Sequence, residues 1–180
     1  MPLRKIISGG QTAVDRAALD AALTCGLAIG GAIPAERHAE DGQVPADYAA
    51  LTEVSADDER AIDPADITRY YPNVRPGEHH RCRSRLARTR RNVLDAQATL
   101  IIARGPLTGG TRATRDYAKR AARPLLIVDL AHETDSEWLV VGWLRENGIE
   151  TLNVAGPSES EFPGIYRAAK QLLASALRAL

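Results

Sequence analysis

Twice in this chain a short apolar run stops at a loop holding a Gly-Gly pair and gives way to a helical pattern. The first run is Leu3 to Ser8, before Gly9-Gly10, and the second is Thr99 to Ala103, before Gly109-Gly110. A buried strand that feeds a helix through a glycine turn is the building unit of a parallel sheet covered by helices. Aromatic residues make up only 4% of the chain, so its core must be aliphatic, which suits that architecture better than a β-sandwich. The two strand–Gly-Gly–helix units therefore predict an α/β domain: a Rossmann-like, three-layer α/β/α arrangement around a mainly parallel sheet. A length of 180 residues matches one such domain.

The remaining pattern extends this reading. After the first glycine pair, Thr12 is placed to cap a helix, with Asp15 three residues on. Val14, Ala18, Ala21, Ala22 and Cys25 then follow at helical spacing until Gly26. Leu27 to Ile33 reads as a second strand. From Ala35 to about Arg81 no periodicity settles the structure; Pro45, Pro64, Pro72 and Pro76 punctuate it, and Tyr48 to Leu51 reads as a short extended piece. So long an irregular stretch predicts a functional or mobile loop. Ser84 to Ala96 reads as a helix, as do Thr111 to about Ala122, the run from Asp135 or Ser136 that stops near Asn147-Gly148, and the amphipathic segment from Pro163. Leu125 to Asp129 and Thr151 to Ala155 supply the last strands.

Net charge is zero, which gives the molecule no global attraction to nucleic acid or acidic membranes. A basic run from Arg69 to Arg91 could form an anion-binding lid or a solvated insertion. As a nucleic-acid surface it lacks interleaved stacking aromatics beyond Tyr70 and Tyr71. Two cysteines, Cys25 and Cys82, make no disulfide framework. No apolar run reaches membrane-spanning length and the first residues do not form a signal peptide, so the expected compartment is the cytoplasm.

In an open parallel sheet, ligands sit beyond the carboxyl ends of the strands. Three loops lie there: Ser8-Gly9-Gly10-Gln11-Thr12, Gly105 to Thr111 with Thr108-Gly109-Gly110-Thr111, and Ala155 to Glu161; in the first two, glycine pairs let backbone N–H groups at a helix start approach an oxyanion. Arg16, Arg112 and Arg115 fall in the first turns of the two helices, where a cation opposes the helix dipole unless an anion is bound. Asn153 is a candidate reader of a base or sugar. Asp15, Glu40 and Asp41 are the carboxylates that would activate water in an enzyme, although capping explains Asp15 and a turn explains Glu40-Asp41-Gly42. His79-His80-Arg81-Cys82 has metal-ligand atom types but no second matching cluster, so no metal is predicted.

Several of these residues together form a pattern. Ile6-Ile7-Ser8-Gly9-Gly10-Gln11-Thr12 with Val14-Asp15-Arg16-Ala17-Ala18-Leu19-Asp20 resembles the N-terminal signature of the molybdenum-cofactor carrier family. That family is also described as circularly permuted YpsA-like proteins of the SLOG superfamily. Further matches are Ala39-Glu40-Asp41-Gly42, Pro45 and Tyr48, then Arg88-Thr89, Asn92-Val93 and Asp95. Leu107 to Thr111 and the tail Leu152-Asn153-Val154-Ala155-Gly156-Pro157 with Glu159-Ser160 and Pro163 to Tyr166 complete the set. The resemblance implies a Rossmann-like fold, a homo-oligomer (dimer or tetramer) and a ligand that is the molybdenum cofactor (molybdopterin) or a nucleotide.

Departures from the family pattern are Ala13 for a glycine, Ser158 for an arginine, Arg91 for an aromatic residue, and what reads as an insertion at about 62–84. Hydrolase relatives in the superfamily carry a glutamate three residues after the threonine of the glycine-rich motif; here Thr114 stands there. Two functions therefore stay open: a binding or carrier protein for a phosphate-bearing ligand, and an N-glycosidic phosphoribohydrolase that cleaves nucleotides.

Overall fold

The computed structural model describes residues 3–180. Six parallel strands form its central sheet: β1 (Lys5–Ile7), β2 (Ala28–Ile33), β5 (Leu51–Glu53), β6 (Ala98–Ala103), β7 (Leu125–Asp129) and β8 (Thr151–Ala155). Their order is β5-β2-β1-β8-β6-β7. Two short strands, β3 (His38–Ala39) and β4 (Gly42–Gln43), pair as an antiparallel hairpin beside it. β6 is buried along its whole length, as a strand apolar at every position but Thr99 predicts for a central parallel strand.

The helices fall into two layers. α1 (Val14–Thr24), α6 (Ser136–Glu146) and α7 (Ile165–Arg178) pack on one face, where Ile6, Val14, Leu100, Ile102, Leu152 and Ile165 share a core. Each of these large side chains is at most 2% exposed, and each contributes about 1.5–3 kcal/mol through burial. The other face carries α2 (Ala56–Arg60), α3 (Pro64–Tyr70), α4 (His79–Asp95) and α5 (Gly109–Arg120), around Ile67, Tyr70, Leu86, Val93 and Tyr117. This is the three-layer Rossmann-like arrangement.

The stretch from residue 35 to 81 is more regular than its sequence predicts. It holds the β3–β4 hairpin, β5, α2, α3 and a turn of 3-10 helix at Pro76–Glu78. Both short helices have local start signals. Ser55 and Asp58 form a reciprocal capping box on α2, and the Asp63 carboxylate accepts from the Ala65 N–H with Pro64 in the first turn of α3. The extended piece is Leu51–Glu53, later than the Tyr48 to Leu51 reading. Residues 62–84, read as an insertion, supply α3 and the first turns of α4, and bury Ile62, Ile67, Tyr70 and Cys82.

The start of α1 also differs from expectation. Thr12 does not cap it: the N-cap is Ala13, which makes no side-chain hydrogen bond and has φ 62° and ψ −117°. Asp15 instead accepts from the Gln11 N–H at 3.2 Å. The glycine turn forces the chain through a positive-φ residue, so the helix begins one position later than the capping-box spacing implies.

Asn92 of α4, 2% exposed, accepts from the Ala32 N–H at 2.6 Å and donates to the Ala32 carbonyl at 3.0 Å, which fastens α4 to β2. The connections leaving β1 and β6 run outward in opposite directions and on opposite faces, so their loops part above β8. A crevice at the carboxyl ends of the strands is the geometric result.

Candidate functional site

A cavity of about 260 Å³ occupies that crevice. Gln11 and Asp15 border it on the β1 side, Ala155, Gly156 and Ser158 after β8, and Gly109, Gly110, Thr111 and Thr114 on α5. Tyr71, Arg85, Arg88 and Thr89 come from the end of α3 and from α4, while Glu40, Ser160 and Glu161 stand at the rim. The two glycine loops and the Gly156 turn therefore meet at one place.

The α5 wall is a helix N-terminus with open donors. The Arg112 N–H makes the first helical bond, to the Thr108 carbonyl at 3.0 Å, which leaves the N–H groups of Gly109, Gly110 and Thr111 without an intrahelical partner. Thr108 does not cap them; its hydroxyl donates to Glu161 at 3.0 Å. No acidic side chain lies in the first turn, so the positive end of the helix dipole faces the cavity uncompensated.

The opposite wall carries two arginines of α4. Arg88 donates to Asp15 at 2.7 Å, and the Asp15 side chain is only 2% exposed. Burial pushes the Asp15 carboxyl above the ordinary range; the nearby Arg88 guanidinium and the Gln11 N–H oppose that without cancelling it. The arginine lies so tight against the first loop that a side-chain carbon on Gly9 would fall 1.6 Å from its Nη1. Gly9 is therefore the residue that lets Arg88 reach Asp15. Arg85, one turn earlier, makes no ion pair or side-chain hydrogen bond among the described residues, and both Arg85 Nε and Arg88 Nε are buried without a partner. An orphaned buried donor costs about 1–3 kcal/mol, and the two arginines that carry these donors both border the cavity.

Tyr71 closes the space between α4 and α5. Its hydroxyl lies 3.3 Å from where a side-chain carbon on Gly110 would sit. Burial pushes this phenol up, against the pull of Arg88 and Arg85. At the rim, Glu40 accepts from the hydroxyls of Thr12 and Ser160, the latter at 2.5 Å, and Glu161 accepts from the Ser158 N–H at 3.0 Å. Burial raises the Glu40 carboxyl, but these donors outweigh it and hold the group below the usual carboxylate range. Both rim carboxylates are exposed and already hydrogen-bonded, whereas the two arginines lie deeper.

The other residues singled out from the sequence lie elsewhere. Ser8 is fully buried and donates to the Val154 carbonyl at 2.6 Å, while Gly10 packs against Val44 and Ile33. Arg16 grips Asp41 with two bonds, at 2.6 and 2.8 Å, and donates to the Gly10 carbonyl at 3.2 Å. That pair ties the β3–β4 hairpin to α1 and leaves neither group to the cavity; the Arg16 guanidinium holds the Asp41 carboxyl low. Arg112 lies 6.0 Å from the Tyr70 ring and Arg115 pairs with Asp116 at 2.8 Å. Asn153 is 2% exposed beneath the loops, donating to Thr99 at 3.3 Å.

The sequence reading assigns neither Tyr71 nor Thr114 to the site. Arg85 and Arg88 enter it only within the basic run read as a lid or a solvated insertion, Arg88-Thr89 also as a family match, and Ser158, Ser160 and Glu161 only within the loop from Ala155 to Glu161. A usable signal existed: Arg85, Arg88 and Asn92 share one helical face at spacings of three and four. Among the described residues no group of three His, Cys, Asp or Glu side chains is placed to hold a metal ion, and no helix is long and apolar enough to cross a membrane.

Comparison with known proteins gives this geometry a context. The circularly permutated YpsA SLOG family matches over residues 6–69 and 63–177. A crystal structure from Syntrophus aciditrophicus SB, described as a "Putative molybdenum carrier protein", superposes with a TM-score of 0.78 at 36% identity. The match covers 98% of this chain and 96% of that one. No curated protein matches in sequence. Motifs, fold and full-length similarity agree: the chain belongs to the circularly permutated YpsA SLOG family.

Proposed function

We propose that this protein binds a phosphate-bearing small molecule in the cavity and holds it rather than transforms it. One observation carries the reading. Two arginines with orphaned, buried Nε donors face a helix N-terminus whose N–H groups are uncapped, across a cavity of about 260 Å³. A phosphate between them accepts from the Gly109, Gly110 and Thr111 N–H groups and from the guanidinium groups of Arg85 and Arg88. Gln11 and Thr111 also line that cavity.

A nucleotide and a phosphorylated pterin of the molybdenum-cofactor kind share this phosphate, and the similarity to a molybdenum carrier favours the pterin. Holding without reaction is favoured by the carboxylates. Asp15 is engaged by Arg88 and Gln11, Glu40 by Thr12 and Ser160, and Thr114 uses its hydroxyl on the Gly110 carbonyl at 3.0 Å.

The test is a titration with inorganic phosphate, AMP, GMP and molybdopterin, following both melting temperature and product release. A ligand at a hundred times its Kd stabilises by about 2.7 kcal/mol, which for a chain of this size raises Tm by about 5–10 °C. The rise should vanish in Arg85→Ala and Gly110→Val, with no product formed. No shift with any of the four ligands contradicts the reading. Release of a free base that is lost in Asp15→Asn assigns the hydrolase function instead.

A further inference from the structure

A second cavity, of about 360 Å³, adjoins the first and shares two of its wall residues, Tyr71 and Arg85. Its lining differs in chemistry. Where the first is built of N–H donors, hydroxyls, arginines and carboxylates, the second sets Tyr70, Tyr71, Pro72, Val74 and Cys82 against a polar side that holds Glu78 and Arg81. Most of these belong to the segment joining α3 to α4.

That segment is held in shape. Tyr71 ends α3 and its N–H donates to the Ile67 carbonyl at 2.9 Å. The Val74 N–H returns to the Tyr71 carbonyl at 3.2 Å, and the Glu78 N–H to the Arg75 carbonyl at 2.9 Å. Pro72 and Pro76 restrict the backbone between these turns. Arg85 stands at the boundary of the two compartments, and no carboxylate among the described residues pairs with it.

We infer that the second compartment takes the planar aromatic ring of the same ligand whose phosphate the first compartment holds. This rests on the phosphate reading above. The boundary position of Arg85 directs the choice: an anion drawn to it places the rest of the ligand beside Tyr71, on the side where the walls turn apolar and aromatic. Phenol rings and a flat guanidinium present the surfaces on which a heterocycle stacks. A sugar alone would leave those apolar walls in water. The ligand class is thus a phosphorylated heterocycle, either a purine nucleotide or a pterin phosphate, and the α3–α4 segment determines which rings are admitted.

The experiment compares ring-bearing and ring-free phosphates. Kd values are measured calorimetrically for inorganic phosphate, ribose 5-phosphate, AMP, GMP and a pterin phosphate on the native chain, Val74→Trp and Asn73→Trp. Asn73 is an exposed residue of the same wall, so its variant keeps the test sound if the Val74 change disturbs folding. At least one ring-bearing ligand should bind the native chain about 5- to 150-fold tighter than ribose 5-phosphate, the range that stacking supplies. Filling the compartment should close that gap while inorganic phosphate stays within about twofold. Equal affinities for ring-bearing and ring-free phosphates, or a gap that survives both variants, overturn the inference and leave the phosphate site standing. Failure of inorganic phosphate and ribose 5-phosphate to bind the native chain overturns both.

Discussion

Arg85 and Arg88 stand one turn apart on α4, and their environments predict opposite consequences of removing them. Arg88 neutralises Asp15, whose side chain is 2% exposed. Arg88→Ala strands that carboxylate, and breaking a buried pair in this way costs about 3–5 kcal/mol. In a domain of this size that lowers Tm by about 6–20 °C. Arg85 compensates nothing: its Nε is a buried donor without a partner. Arg85→Ala relieves the cost of that orphan, about 1–3 kcal/mol, against the lost packing of the aliphatic stem, so its stability should stay within about 1 kcal/mol of native. The assay is thermal unfolding of both variants across pH.

Asp15 already has a folded-state pKa above its ordinary value because it is buried, and losing Arg88 raises it further. A raised acid binds its proton more tightly in the folded state, so the folded form is favoured at low pH. That advantage is lost as pH rises from the ordinary carboxylate value through the folded one. Arg88→Ala should therefore approach native stability as pH falls toward 4, and adding Asp15→Asn should recover much of the loss at neutral pH. Equal destabilisation by the two arginine changes would refute the reasoning, as would an Arg88→Ala deficit indifferent to both pH and Asp15→Asn.

Three other positions give outcomes that can be measured separately. Ala13 sits at φ 62° and ψ −117°, a strain of about 1–3 kcal/mol that Ala13→Gly relieves against a lost buried methyl and a freer unfolded chain. The unfolding free energy from chemical denaturation should thus move by no more than about 1 kcal/mol, and a loss of twice that contradicts the strain. Gly156→Ala places a carbon 2.3 Å from the Ile102 carbonyl oxygen and 2.6 Å from Val14 Cγ2. It should cost at least about 2–3 kcal/mol by chemical denaturation, and a neutral result would mean the β8 turn shifts freely. The Asp129 carboxylate accepts from the N–H groups of Ala131 and Gly105 and from His132, which together hold it at about 2. Its carbon resonance should titrate there, and the stability it adds is lost as pH falls through that value; a midpoint near the ordinary carboxylate value would show the turn to be open in solution.

The sequence made the sheet legible and the site only partly so, for a physical reason. β6 and β7 are mostly apolar runs and β8 sets apolar residues around Asn153, each close to a glycine or proline, signals that survive without knowledge of partners. The Gly109-Gly110 loop was readable because a helix N-terminus carries its donors wherever it lies. The short helices α2 and α3 were not, since they present few inward apolar residues, such as Ile67 and Tyr70, and depend on caps at Ser55 and Asp63. The cationic wall was harder still. An arginine-rich segment reads as solvated, and only the anchoring of α4 through Asn92 to Ala32 turns Arg85 and Arg88 toward the crevice. Arg16 looked equally suited by position, yet Asp41, 25 residues away, takes it. Local spacing cannot decide between two arginines when the deciding carboxylate arrives from another element.

A phosphate seated between the α5 N-terminus and the arginines of α4 must perturb the very N–H groups that hold it. A nitrogen–proton NMR titration of the labelled native chain with AMP and with inorganic phosphate reads those groups one by one. Saturable shifts should appear together at the Gly109, Gly110 and Thr111 amides and at Arg85 Nε, with the Arg112 and Arg115 side chains unmoved. Saturable shifts confined to Arg112, Arg115 or Arg16, or no saturation at any of these positions, would contradict a phosphate at that place.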